Sequence, residues 1–133
     1  MSLEIRKAVE EDASRILSLI QGIAEFEKLT HQMTATEDLI RKNMFGEQTF
    51  AHCYLAFWNG LLAGYALYFF NFSTFLAKPG LYLEDLFVKP DVRGKGIGKQ
   101  LLLTLAREAN EKDCGRMEWM ALDWNTPAHD FYF

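Results

Sequence analysis

Between two apolar, aromatic-rich runs, residues 50–58 and 61–72, stands the dipeptide Asn59-Gly60. A two-residue turn that matches the twist of paired strands needs positive φ at both central positions, and Asn-Gly supplies them at least steric cost. The middle of the chain is thereby committed to an antiparallel hairpin. Residues 3–9 alternate Leu3 and Ile5 against Glu4 and Arg6 and read as a strand. From Asp12, which reads as an N-cap, Ile16, Leu19, Ile20, Ile23 and Phe26 follow helical spacing. Thr34-x-x-Glu37 reads as a capping box that opens a second helix ending at Gly46. After the punctuation of Pro79-Gly80 come a strand over 81–88, a glycine turn over 93–98 and a helix over 99–111. Leu101, Leu102, Leu105, Ala106 and Ala109 form that helix's inner side, and Cys114-Gly115 closes it. Residues 116–122 alternate as a fifth strand, with Met117, Trp119 and Ala121 against Arg116, Glu118 and Met120, and Asn125-Thr126-Pro127 opens a last helix with proline at its first position. The order βααβββαβα predicts an α/β (α+β) fold, a mixed and mostly antiparallel sheet flanked by helices, and 133 residues suit a single domain.

Fourteen Lys and Arg against eighteen Asp and Glu leave a net charge of −4, spread along the chain. Such a surface argues against nucleic acid and anionic membranes as partners. Cys53 and Cys114 stand alone, and His31, His52 and His129 are scattered without metal-ligand spacing, so neither zinc nor any other metal is expected. The cysteine usage fits a reduced, cytoplasmic setting. Residues 61–70, the longest apolar stretch, are too few to span a bilayer and lack the flanks of a signal peptide.

Chemistry concentrates in LYLEDLFVKPDVRGKGIGKQLL, a strand, a turn with glycines at 94, 96 and 98, and a helix. Glycines let backbone N–H groups approach a phosphate, the helix adds its positive end, and Arg93, Lys95 and Lys99 add formal charge. A polyanion site on an acidic protein is the natural reading. Counting back from Gly98-Lys99, a Walker A loop would need glycine where Arg93 stands and a hydroxyl where Gln100 stands, so that motif fails. The dinucleotide fingerprint would need glycine at Lys99 and fails as well. What remains is R-x-x-G-x-G, carried by Arg93, Gly96 and Gly98, beside the plainer reading of a permissive turn before a helix.

That motif resembles the pyrophosphate loop of the acetyl-CoA-dependent N-acetyltransferases of the GNAT superfamily. YLEDLFV (82–88), RGKGIGK (93–99), and LDWNTP (122–127) with Phe131-Tyr132 further resemble the diamine and polyamine (spermidine/spermine) acetyltransferases. AEFEKL (24–29) together with LDWN looks most like the thialysine N-epsilon-acetyltransferase branch. The likeness runs in the same order along essentially the whole chain. It implies acetyl-CoA as co-substrate, a small cationic amine as acceptor, direct attack in a ternary complex, and a homodimer. It also implies roles for particular residues. Glu84 takes the proton of the amine, directly or through water, and Tyr132 protonates the departing thiolate. Backbone groups of Leu86, Phe87 and Val88 pair with the pantetheine. Arg93, Gly94, Lys95, Gly96, Ile97, Gly98 and Lys99 hold the pyrophosphate, and Asn125, Thr126, Pro127 and Ala128 contact the cofactor near its thioester. Phe26, Glu27, Glu84, Asp85, Glu118, Trp119 and Met120 line the acceptor pocket.

Taken alone, Glu84 is one solvated carboxylate among eighteen, and Tyr132 after Phe131 is core packing. Regular alternation places Glu84 with Tyr82, Leu86 and Val88 and sends Asp85 to the opposite face, unless a bulge intervenes. The family's chains continue past the Tyr-bearing helix into further strands. The expectation is therefore a C-terminally incomplete domain lacking the last strands, in which the acid role of Tyr132 is the least secure. Rival readings keep the reaction but change the acceptor to a peptide or protein lysine or an aminoglycoside, or make the chain a CoA-binding module without turnover.

Overall fold

The computed structural model describes residues 2–28 and 30–119. Among them, five strands form one sheet in the order β1 (Leu3–Lys7), β2 (His52–Trp58), β3 (Leu61–Ser73), β4 (Lys78–Val88) and β5 (Arg116–Trp119). The first four are antiparallel neighbours, and β5 joins β4 in parallel, with Gly80 opposite Arg116 and Leu83 opposite Trp119. A parallel neighbour requires a crossover, and helix α3 (Ile97–Glu111) supplies it. The β2–β3 turn has φ of 52° at Asn59 and 82° at Gly60, the doubly positive geometry that the dipeptide predicts.

The sheet is covered on both faces. Helices α1 (Ala13–Phe26) and α2 (Glu37–Phe45) bury Ile16, Leu19, Ile23, Ile40 and Met44 against Cys53, Leu55, Tyr65 and Phe87. On the other face, Ile97, Leu101, Leu105 and Ala109 of α3 pack on Ala56, Ala66, Tyr68, Leu81, Leu83 and Leu86. Leu101 and Leu105 are fully buried. Removal of either side chain to alanine would cost about 2–5 kcal/mol.

Several boundaries differ from the sequence reading. The first strand stops at Lys7 because residues 10–12 form a 3-10 turn ahead of α1. That turn leaves Asp12, at the start of α1, with φ −88° and ψ 3°, away from the extended backbone of a capping residue, and its carboxylate makes no cap hydrogen bond to α1. The carboxylate instead accepts from Arg6 Nη1 and Nη2 at 2.7 and 2.9 Å, from Arg15 Nη1 at 3.1 Å and from the Val9 amide at 2.9 Å. The second helix is capped by Thr36, extended at φ −130° and ψ 161°, whose hydroxyl accepts from the Leu39 amide, so Thr34 lies outside the helix. Strand β2 begins at His52 rather than Phe50. Strand β4 begins three residues before Leu81, because Lys78, Pro79 and Gly80 already pair with Ser73, Phe72 and Asn71 of β3; the Gly115 amide also donates to the Pro79 carbonyl at 2.9 Å. Helix α3 starts at Ile97 and takes Gly98 into its first turn. At its far end Asp113, not Gly115, adopts the left-handed conformation (φ 54°). The Cys114 amide reaches the Ala109 carbonyl and the Asp113 amide reaches that of Asn110, a Schellman closure. The last expected helix and the end of the fifth strand lie outside the described residues.

Candidate active site

Four segments converge where β4 ends: the C-terminus of α1, the middle of β3, β4 itself and the turn that leads into α3. Strand β4 is irregular there. Leu67 lies opposite Asp85 and Tyr68 opposite Leu83, which leaves Glu84 as the extra residue of a bulge. The bulge reverses the alternation expected for the strand. Leu81 and Leu83 face α3, and past the bulge Leu86 and Val88 do so, whereas Phe87 packs into the α1–α2 core. Tyr82, whose ring meets that of Phe69 at 5.1 Å, thus does not share a face with Leu86 and Val88. Glu84 is exposed at the bulge.

Asp85 is directed beneath α1. It accepts a hydrogen bond from the hydroxyl of Tyr65, itself fully buried, at 3.1 Å. Burial pushes its carboxyl up to about 6, and the charges of Glu84 and Glu27 push the same way, while the Tyr65 hydroxyl opposes them. Glu27, half-buried at the end of α1, is raised by burial as well. Three carboxylates from two elements therefore act on one locality. A cleft of about 370 Å³ opens between α1 and the end of β4, with Leu19, Gly22, Phe26 and Phe87 among its walls. The approach of the two elements is close: a Cβ on Gly22 would lie 2.9 Å from Phe87 Cε2.

The turn before α3 has Gly94 at φ 84° and Gly96 at φ 79°, and an added Cβ at either would meet nothing within 4 Å. Gly96 is the N-cap and no side chain caps the helix, whose first intrahelical bond runs from the Gln100 amide to the Gly96 carbonyl. The amides of Ile97, Gly98 and Lys99 thus lack carbonyl partners within the helix, which is what an anion needs. The turn's cations part company. Lys95 Nζ lies 5.5 Å from the Trp58 ring on the α3 side. Arg93 donates from Nε to the Val88 carbonyl at 3.0 Å and sets its guanidinium 4.6 Å from the Phe26 ring and 5.9 Å from that of Phe87, on the α1 side. Its side chain ties the turn to β4 and α1, whereas Lys95 reaches toward Trp58.

Leu86, Phe87 and Val88 pair with Ala66, Tyr65 and Gly64 on one side. On the other side, the described part of β5 pairs only as far as Leu83. Of the remaining sequence-nominated residues, Glu118 is held by Arg116 Nε at 3.1 Å and Asn71 Nδ2 at 3.3 Å, near the start of the parallel pair. Trp119 is partly exposed at the end of β5. Met120, Asn125, Thr126, Pro127, Ala128 and Tyr132 lie outside the described residues. Sequence reasoning did not nominate Tyr65. Buried in an apolar run, it carries no local mark, and only the register that sets it diagonally across from Asp85 reveals it.

Residues 13–133 match the model of the acetyltransferase (GNAT) family. The chain belongs to that family. It is similar to the thialysine N-epsilon-acetyltransferase of Bos taurus, at 40% identity over 96% of this chain and 79% of that protein. The Mus musculus protein of the same name is 39% identical over 98% and 81%. An L-ornithine N5-acetyltransferase of Arabidopsis thaliana is 29% identical over 99% of this chain and 78% of its own length. Among solved structures, an integron cassette protein from the mobile metagenome of V. cholerae superposes with a TM-score of 0.80 at 29% identity, covering 99% of this chain and 83% of that one. The chain is an N-acetyltransferase with the GNAT fold. The family's co-substrate is acetyl-CoA, and the turn fits its diphosphate: two glycines with positive φ, open space where side chains would stand, and helix amides without a side-chain cap. No helix among the described residues is long and apolar enough to cross a membrane, and they contain no group of three or more His, Cys, Asp or Glu that could hold a metal ion.

Proposed function

We propose that residues 1–133 act as one N-acetyltransferase domain that acetylates a primary amine of a small cationic acceptor, a diamine, polyamine or thialysine-like amino acid. The observation that carries this reading is the β4 bulge, which exposes Glu84 and hands Asp85 to the Tyr65 hydroxyl a few residues ahead of the glycine turn. Acetyl-CoA supplies an activated acyl group. The chain's residues must hold it and make the acceptor nucleophilic. The amides at the start of α3, with Gly94, Lys95, Gly96 and Lys99, hold the diphosphate. The edge of Leu86, Phe87 and Val88, which no strand among the described residues pairs, receives the pantetheine as a sheet edge receives a strand. By the family resemblance, Asn125, Thr126, Pro127 and Ala128 serve the thioester end of the cofactor.

An alkylammonium of pKa about 10.4 is neutral in about one part in a thousand at pH 7.4, which costs about 4 kcal/mol. Glu84, exposed at the bulge, takes that proton directly or through water, and the neutral amine attacks the thioester carbonyl in a ternary complex. Tyr132 gives a proton to the departing thiolate. Phe26, Glu27, Asp85, Glu118, Trp119 and Met120 shape the acceptor site, and its carboxylates draw in a cation through the local field. Arg93 serves this site as a strut between its two halves. A homodimer in the cytoplasm completes the reading.

The test is thiol release from acetyl-CoA across a panel of amines: thialysine, ornithine, 1,4-diaminobutane, spermidine, a lysine peptide and an aminoglycoside. The small cationic amines should give the highest kcat/KM. A lysine peptide or an aminoglycoside that outperforms them all would overturn the proposed acceptor class.

A further inference from the structure

Tyr65 belongs to no motif, yet its hydroxyl is the described side-chain donor to Asp85. It lies in β3 opposite Phe87, one diagonal from Asp85, and is fully buried in the α1–α2 core. Phenylalanine would fill that space as well, and a phenolic hydroxyl in an apolar core needs a partner. The partner here is a carboxylate with little else in its favour. Facing Asp85 are Cys53 from β2, Tyr65 from β3, its neighbour Glu84 and Glu27 from α1. The nearby cation Arg93 is turned onto Phe26 and Phe87. Burial, Glu27 and Glu84 disfavour a charged Asp85, and the Tyr65 hydrogen bond favours it.

Resting on the transferase reading above, we propose that Tyr65 is a positioning residue for the acceptor: its hydroxyl fixes the Asp85 carboxylate on the α1 side of the bulge, where that carboxylate receives a cationic group of the amine. Once Glu84 has taken the proton of the reacting nitrogen, that nitrogen is neutral. Asp85 and Glu27 remain to be balanced, and a second cationic centre on the acceptor balances them. Tyr65 then acts on acceptor affinity, through Asp85, and not on the cofactor.

The experiment measures calorimetric binding of 1,4-diaminobutane to the CoA-loaded protein between pH 5 and 9, for the wild type, Tyr65→Phe, Asp85→Asn and the double variant. Wild-type affinity should rise as pH passes through the range where Asp85 ionises. In Tyr65→Phe the rise should move up by about one pH unit, weakening binding about tenfold on the acid side and leaving it unchanged near pH 9. Acetyl-CoA affinity should not change. Asp85→Asn should flatten the rise, and adding Tyr65→Phe to it should do nothing more. An unshifted profile, an equal loss at every pH, additive effects of the two substitutions, or a wild type that binds no diamine would each overturn the proposal. The binding readout needs no turnover. A chain that binds the diamine with the expected profile but releases no thiol would therefore sink the transferase reading and leave the Tyr65 assignment standing.

Discussion

Gly96→Ala isolates the diphosphate turn from the rest of the molecule, because the chain contains its own control. Gly96 and Gly60 have nearly the same positive φ, 79° and 82°, and a Cβ on either would meet nothing within 4 Å. Neither substitution creates a clash, so both carry only the cost of a left-handed alanine, about 1–2 kcal/mol. For a domain of this length that lowers Tm by about 3–8 °C. The two variants should therefore be indistinguishable by thermal unfolding of the free protein. They should part on adding acetyl-CoA. An alanine that relaxes out of φ 79° re-aims the first amides of α3, and a lost charge-assisted hydrogen bond is worth about 1.5–3 kcal/mol. The KM for acetyl-CoA, and its calorimetric Kd, should rise about tenfold or more in Gly96→Ala and stay at the wild-type value in Gly60→Ala. Equal cofactor affinity in the two variants, with stabilities matched, would refute the claim that these amides hold the diphosphate.

Glu84→Gln should lower kcat about a hundredfold near neutral pH, with the loss shrinking at high pH where the amine deprotonates unaided and with the KM for acetyl-CoA unchanged; a pH–rate profile checks this. Asp12 is held below its ordinary value, chiefly by its hydrogen bonds with Arg6. Its contribution is therefore complete above the unfolded carboxyl's pKa and vanishes as pH falls through the lower folded value, and Asp12→Ala should cost about 2–3 kcal/mol in urea at pH 7 but much less in strong acid. Asp85 has the opposite sign. Its folded pKa of about 6 exceeds the unfolded value, so the native state is penalised as pH rises from about 4 to 6. Asp85→Asn should accordingly be more stable than wild type by about 1–2 kcal/mol at pH 8 and no more stable at pH 4, as paired denaturant titrations would register.

What could be read from residues alone was whatever a single backbone position dictates. Asn59-Gly60 had to be a turn because few other pairs accept two positive φ values, and Gly94 and Gly96 marked the turn before α3 for the same reason. What could not be read depended on partners distant in sequence. The bulge at Glu84 is a mismatch between β3 and β4 and leaves no trace in YLEDLFV, so regular alternation misassigned the faces of Tyr82, Leu86 and Val88. Two threonines compete to cap α2, and the backbone that extends at Thr36 decides between them. Asp12 looked like a cap because caps and arginine-binding carboxylates are the same residue type, and only the fold brings Arg6 beside it. Arg93 followed the motif to the turn, but where its guanidinium settles was set by Phe26, which lies far away in sequence.

The parallel seam between β4 and β5 has a bearing on how the chain assembles. The β2–β3–β4 meander can zip from its own turns, since Trp58 and Leu61 are near neighbours, whereas Gly80 meets Arg116 only after the whole α3 crossover has been laid down, and Lys7 meets Tyr54 only after α1 and α2. Closing a longer loop costs more entropy, so the seam forms after the meander and reopens more readily than the meander does. Amide exchange along Tyr82 and Leu83 should thus outpace that of Tyr65 and Ala66.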